Sequence, residues 1–591
     1  MLATRLYQTL TAPPNRRQIQ LWLGLSLLVS LLYSLPALQE AFKGEFVIQD
    51  DARQHVFWMR RFIDPALFPN DLIADYFQSV APWGYSTLYW LFAQLGVDPV
   101  ALSKLLPTLL GLIATGFCFG VGMQVLPLPI AGFATATLLN HNLWMRDDLV
   151  SATPGAFLYP IFLGFLYFLL RNSLIPCVIT IALQGLFYPQ SVFLSAGILL
   201  LRLRGWQFAR SRISGRWAET RQMRLIAAGL GMAALVIGLY SLKSSEFGQA
   251  ISLDTARAMP AFAPLGWSAF FSDSFVGFWI CGKRSGMVPT EWCDLSKNAQ
   301  EVFQPWLLLR FASIWLGLGL LLALRLPLAQ RLTANLSILP QILITSISMF
   351  LLAHLLAFRL HLPNRYTEHS LRILLALAAG ITLVILWERL FQFCLKLNQS
   401  HLPVAATIIL AAALIFYPYS LLIDGDPFPV TGYFRGRQTA LYEFLAKQPP
   451  ETTVASLSEE ANQIPSFAQR ALYAGGEGFL LPYHPRYYEQ MSQRLLAVIE
   501  AQYSPDLDSL KAFIRQSQVG FWLLDNESFQ PDFANPKSYL KSVFDQFPAE
   551  TAVIKTQIQA GLPSALSEVS GCIAWKNQQF RLLRAKCILR Q

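Results

Sequence analysis

Apolar residues in this chain gather into long unbroken runs separated by short polar loops, a pattern that predicts buried or membrane-crossing helices more than amphipathic ones. The runs are Leu21–Leu38, Ala101–Leu126, Leu128–Leu143, Pro154–Leu170, Leu225–Leu242, Trp306–Leu324, Ile338–Phe358, Leu371–Trp387 and Leu402–Ile423. Each reads as a membrane crossing. The stretch Ser173–Leu201 reaches roughly 40 Å as a helix, too long for one crossing and short for two. Tyr188-Pro189-Gln190 interrupts it, because proline breaks the helical hydrogen-bond ladder.

Charge decides how to count that stretch. The segment after it carries Arg202, Arg204, Arg210, Arg212, Arg216, Arg221 and Arg224 against the single acid Glu219, the most cytoplasmic-looking loop of the chain. Arg16-Arg17 and Arg171 ask for the same side. Ser173–Leu201 must then go out and return, turning at Pro189. The reading is a polytopic α-helical membrane protein with about eleven transmembrane helices, N-terminus cytoplasmic, spanning residues 1–423. Its extracytoplasmic loops are 39–100, 140–153, 243–305 and 359–370. Residues 424–591 turn charged, polar and proline-interrupted, as an extracytoplasmic α/β domain would. There Thr439–Ala446 and Tyr487–Tyr503 read as helices, and Thr453–Leu457 and Val519–Leu524 as buried strands. Ile573–Trp575 with Phe580–Leu583 reads as a hairpin.

Composition supports the class. Of 591 residues 54% are hydrophobic and only 14% charged, where a soluble domain carries roughly a quarter. The formal charge of +10 sits largely in short inter-helix loops and speaks for topology, with no basic aromatic stripe to suggest nucleic acid. Leu21–Leu38 lacks a small-residue cleavage site and reads as a retained helix. Compact loops without a targeting segment favour a bacterial inner membrane. Seven cysteines are present, and the extracytoplasmic pairs Cys281/Cys293 and Cys572/Cys587 are candidate disulfides. No His/Cys cluster suggests zinc.

The candidate chemistry lies at the loop edges. Asp50-Asp51 open the run that continues through Arg53 and His55 to Trp58. A helix beginning there would set residues 50, 54 and 58 on one face, with the acids at its N-terminus. Arg146-Asp147-Asp148 occupy a loop too short to leave the bilayer surface. Together the two acidic pairs offer a general base and a site for Mg2+ or Mn2+, because hard cations take carboxylate oxygens. The run Arg359 to His369 contributes Arg359, Arg365 and Tyr366, which suit a phosphate headgroup and a lipid chain. Asp71 and Asp75, in the second half of the first loop, are candidate extra ligands or ordinary solvated acids.

This set of features resembles the GT-C superfamily of polytopic glycosyltransferases, with oligosaccharyltransferase, protein mannosyltransferase and aminoarabinose transferase branches. The features are the acidic motif after the first helix, a first loop ending Pro82-Trp83-Gly84-Tyr85, Arg146-Asp147-Asp148, the broken pair around Phe187-Tyr188-Pro189-Gln190, and the tail domain. The resemblance implies a sugar moved from a polyprenyl-phosphate-linked donor, drawn from the membrane lipids, to an extracytoplasmic acceptor. It implies Asp50 as catalytic base with Asp51 beside it, Arg53 and His55 near substrate, and Asp147 or Asp148 as the metal- or acceptor-binding acid. Arg365 and Tyr366 would meet the donor phosphate. The tail lacks the Trp-Trp-Asp acceptor motif of oligosaccharyltransferases. Two other readings stay open: a lipid or solute transporter or flippase, and a non-catalytic assembly protein of the same fold. Against the transporter, Lys104, Arg310, Arg372 and Glu388 lie near the ends of otherwise bare crossings.

Overall fold

The computed structural model describes residues 2–203, 216–243, 245–264, 266–293, 312–397, 401–424, 427–530 and 543–591. Arg204, Arg210 and Arg212 of the arginine-rich loop, and the start of the Trp306–Leu324 run, lie outside the described residues.

Among the described residues six helices are long and apolar enough to cross a membrane: Arg16–Ala41, Pro99–Val125, Thr220–Leu242, Ala334–Leu355, Pro363–Lys396 and Leu402–Tyr419. Shorter apolar helices follow at Pro154–Leu170, Leu174–Phe187, Ser191–Leu203 and Ser313–Ala323, and Pro129–Trp144 is a further apolar helix. The chain is an integral membrane protein, largely α-helical.

Helix Glu368–Lys396 is the central post, buried along most of its length. Small residues let its backbone come close to its neighbours, as membrane packing favours. A Cβ on Gly380 would lie 2.5 Å from the backbone nitrogen of Thr135, on helix Pro129–Trp144. Ser173–Leu201 does divide, into Leu174–Phe187 and Ser191–Leu203. The Phe187 ring stacks on Phe157 at 4.6 Å and the Tyr188 ring meets His369 edge-on at 6.0 Å. The break therefore faces the same end of the bundle as the start of the central helix.

The tail folds over that end. Strands β3 (Thr453–Ser456), β4 (Ala471–Leu472), β5 (Phe521–Asp525), β6 (Ile573–Lys576) and β7 (Phe580–Arg584) form a mixed sheet in the order β4-β3-β5-β7-β6. β3 runs parallel to β4 and β5, and β7 antiparallel to β5 and β6. Alternation sends Val454, Leu523 and Leu582 against Leu441, Tyr442 and Leu445 of helix Thr439–Ala446. Ala455, Trp522 and Leu583 face the other way, into the core shared with helix Pro485–Tyr503.

Two ties fasten this sheet to the first loop. β1 (Val47–Gln49) pairs antiparallel with β2 (Tyr433–Arg435), so the chain leaving the last membrane helix returns to the exit of the first. Asp71 is fully buried: its carboxylate accepts from Ala74 N–H, capping helix Leu72–Val80, and from Leu472 N–H in β4, both at 3.1 Å. Burial pushes its carboxyl up to about 6 despite those bonds. Asp71 is thus a fastener, neither ligand nor solvated acid, and Asp75 pairs with Arg61 at 2.8 Å. Cys281 is bonded to Cys293 and Cys572 to Cys587.

Candidate active site

The first-loop acids stand on a turn made by the β1–β2 ribbon. Asp50 N–H donates to the Gly432 carbonyl at 3.0 Å, and the Gln49 side-chain oxygen accepts from Ala52 N–H at 3.3 Å. The helix that follows is a single turn, Ala52–His55, and passes into a 3₁₀ segment, Phe57–Phe62. Residues 50, 54 and 58 consequently share no helical face, and Trp58 is core. Asp51 sits at the N-cap without making a capping bond, so its carboxylate is left for other partners.

The neighbouring acids diverge from here. Asp50 pairs with Arg53 and is half exposed. Arg53 is itself buried: it donates to Gln463 at 2.8 Å, meets Glu477 at 3.0 Å, and stacks over the Phe434 ring at 4.7 Å. Expected near substrate, Arg53 instead pins the first loop to the tail. Asp51 is partly buried, and its carboxyl is pushed up to about 7 by burial and then by the charges of Asp147, Asp50 and Asp148, with Arg365 opposing. His55 packs edge-on against Phe77 at 4.6 Å. Burial and then Arg365 draw its imidazole down to about 4, so it is neutral near pH 7 and is not a cationic contact.

Asp147 and Asp148 also part company. Asp148 accepts from buried Arg372 at 2.9 Å and stands 3.7 Å from Arg146. Despite burial, Arg372, His369 and Arg146 hold its carboxyl far below the usual carboxylate range. Arg372 also donates to the Tyr159 hydroxyl at 3.0 Å and pairs with Glu368 at 3.3 Å. Asp147 has a smaller share: burial, then the charge of Asp148, raise its carboxyl, with Arg146 opposing and Asp50 adding to the rise. Gly432, at φ +60°, presses close to it; a Cβ there would lie 2.8 Å from Asp147 Oδ2 and 3.1 Å from Gln49 Nε2. Gln49 is buried with that amide nitrogen unpartnered among the described residues.

From the third cluster, Arg365 reaches this place. It pairs with Glu368 at 3.2 Å, remains partly exposed, and its charge acts on Asp51, His55 and Asp148 alike. Tyr366 does not join it: the ring is buried and its hydroxyl donates to the Leu360 carbonyl at 2.8 Å. Arg359 stays exposed on the neighbouring turn. Of the expected metal-binding pair, Asp148 gives its oxygens to two arginines. Among the described residues no three His, Cys, Asp or Glu side chains form a cluster that could hold a metal ion.

Sequence reasoning missed Arg372, Glu368 and Tyr159 as members of the network. The Glu368–Arg372 spacing of one helical turn was a usable signal. The link from Arg372 to Asp148, across the chain, was not.

No family model and no curated protein matches the chain in sequence. Solved structures do match in shape. The apo crystal structure of the oligosaccharyltransferase of Archaeoglobus fulgidus aligns with a TM-score of 0.51 at 11% identity, covering 88% of this chain and 71% of that one. ArnT of Cupriavidus metallidurans in the apo state aligns at 0.47 with 13% identity, over 95% or more of both chains (96% and 98%). The mycobacterial arabinofuranosyltransferase AftD aligns at 0.46 with 14% identity, over 87% of this chain and 37% of that one. The first of these likenesses shows that the chain shares the overall fold of that oligosaccharyltransferase.

Proposed function

We propose that this protein is a glycosyltransferase that moves a sugar from a polyprenyl-phosphate-linked donor to an extracytoplasmic acceptor. The setting is a bacterial inner membrane, with the N-terminus cytoplasmic. The observation that carries the reading is Asp51, whose raised carboxyl feels the charge of Asp147 and the opposing charge of the partly exposed Arg365. Solved structures of the fold support the class of substrate: one holds the archaeal oligosaccharyltransferase with a dolichol-phosphate, another ArnT with undecaprenyl phosphate.

In the step itself, an acceptor hydroxyl or amide nitrogen attacks the anomeric carbon of the donor sugar. The bond between that carbon and the phosphate oxygen breaks, and the phosphate keeps the electron pair. The acceptor's proton passes to a first-loop carboxylate. Of the two, Asp51 suits the task better than Asp50: a carboxyl near 7 is both ionised and basic enough at neutral pH, and Asp50 is taken up by Arg53. Arg365 stabilises the departing phosphate with its forked donors. Should Mg2+ or Mn2+ take part, Asp147 is the second-loop carboxylate left to hold it, and a cation there would share the phosphate charge. No step above is routed through it.

The test follows a labelled sugar off its polyprenyl phosphate in proteoliposomes supplied with an envelope extract as acceptor pool. Wild-type protein transfers label and Asp51→Asn does not. Equal transfer by the two would overturn the proposal. Persistence of lipid flipping without any transfer would favour a transporter.

A further inference from the structure

The loop between the Thr220–Leu242 and Ala312–Ala323 helices carries an exposed apolar tip that packs on none of the described residues' core clusters. Phe275 is 70% exposed and Val276 51% exposed. They open a short π-helical turn, Val276–Ile280, whose residues Phe278 and Trp279 are half-buried. The Trp279 and Phe278 rings lie 4.5 and 5.3 Å from the His354 ring, on the last turn of helix Ile338–Leu355. His354 Nε2–H donates to the Ser285 carbonyl at 2.8 Å. Backbone bonds from Met287 to Trp279 (3.0 Å) and Val288 to Ile280 (2.9 Å), with the Cys281–Cys293 disulfide, close the loop on itself. The tip is therefore held in place by a built structure.

The same helix end that the turn packs against is itself apolar and uncovered: Leu351, Leu352, Leu355 and Leu356 are exposed, Leu355 at 78%. That surface belongs to a helix long and apolar enough to cross a membrane. Phe275 and Val276 stand on the turn that packs on this helix end through Phe278 and Trp279, and the polar residues Ser272, Asp273 and Ser274 precede them. An exposed apolar tip on a turn docked against the end of a membrane-long apolar helix, with polar residues leading into it, is the pattern of an interfacial anchor.

We infer that the disulfide-closed loop is a membrane hook, its Phe275–Val276 tip seated in the lipid leaflet on the tail side. The hook is joined to the candidate site: the Asn364 side-chain N–H donates to the Lys283 carbonyl at 3.0 Å, beside Arg365, and Arg284 donates to the Tyr483 hydroxyl at 2.7 Å. The leaflet thus touches the loop that holds Arg365. This inference stands on the hook's own geometry and survives failure of the proposed chemistry.

The test reconstitutes the full chain in phosphatidylethanolamine–phosphatidylglycerol vesicles containing a small fraction of 5-doxyl phosphatidylcholine. An environment-sensitive fluorescent amino acid is placed at Phe275, and separately at Val276. Leu355 serves as the lipid reference and Val553, exposed on the tail, as the aqueous one. The hook predicts doxyl quenching close to that at position 355 and protection from iodide. Iodide quenching like that at position 553 would overturn it. Protection from both quenchers would overturn it too, by showing that another protein chain covers the tip.

Discussion

Asp147 and Asp148 are neighbours in the chain and opposites in the molecule. Asp148 is bound into a closed network with Arg372, Arg146, Glu368 and Tyr159, and its charge is answered several times over. Asp147 faces Asp148, Asp50 and the pressing backbone of Gly432, and its carboxyl rises. The same division separates Asp50, paired with Arg53, from Asp51, pushed up to about 7. One member of each pair holds the architecture together. The other is left with an unbalanced charge, which is what proton transfer or substrate capture needs.

If that division is right, the two halves must fail in different ways. The largest effect is expected on chemistry: Asp51→Asn should lower transfer by about 10²–10⁴-fold, the usual worth of a general base, while the protein elutes and melts as wild type does. On the other half, Arg372→Ala should cost about 3–5 kcal/mol of stability, because Asp148 and Glu368 would lose the buried arginine they share and keep only the more exposed Arg146 and Arg365; unfolding in detergent micelles measures it. Asp147→Asn should leave stability nearly untouched and shift the acid limb of the transfer rate to lower pH. Removing a negative neighbour eases ionisation of Asp51, and Arg365→Gln should move the limb the other way. The smallest effect belongs to Glu477→Gln. Arg53 would keep Asp50 and Gln463, and a partly exposed pair is worth about 1 kcal/mol or less.

The helical frame was legible because long apolar runs have few alternatives to a membrane helix, and the interruption at Pro189 was legible because proline cannot continue the ladder. The tail strands at Thr453–Ser456 and Phe521–Asp525 could be read from their buried residues. The three-residue ribbon of Val47–Gln49 with Tyr433–Arg435 could not: each strand is short, and their pairing joins the two ends of the membrane region. The sequence shows the candidate residues as separate clusters, and the structure sets Asp51 within reach of the charges of Asp147 and Arg365 from two others. Which member of each acidic pair carries the raised carboxyl was hidden, since adjacent residues on a turn point different ways. The partner of Asp148 was hidden for a different reason. Arg372 looks like an ordinary charge near a helix end until the fold carries it to the second loop.

The most direct measurement is the pH dependence of single-turnover transfer in wild type, Asp50→Asn and Asp51→Asn. The account predicts an acid limb near 7 in wild type, retained but moved to lower pH in Asp50→Asn, which loses a negative neighbour, and lost with activity in Asp51→Asn. An Asp51→Asn protein that kept the limb, with Asp50→Asn losing it, would assign the proton to Asp50 and contradict the division drawn above.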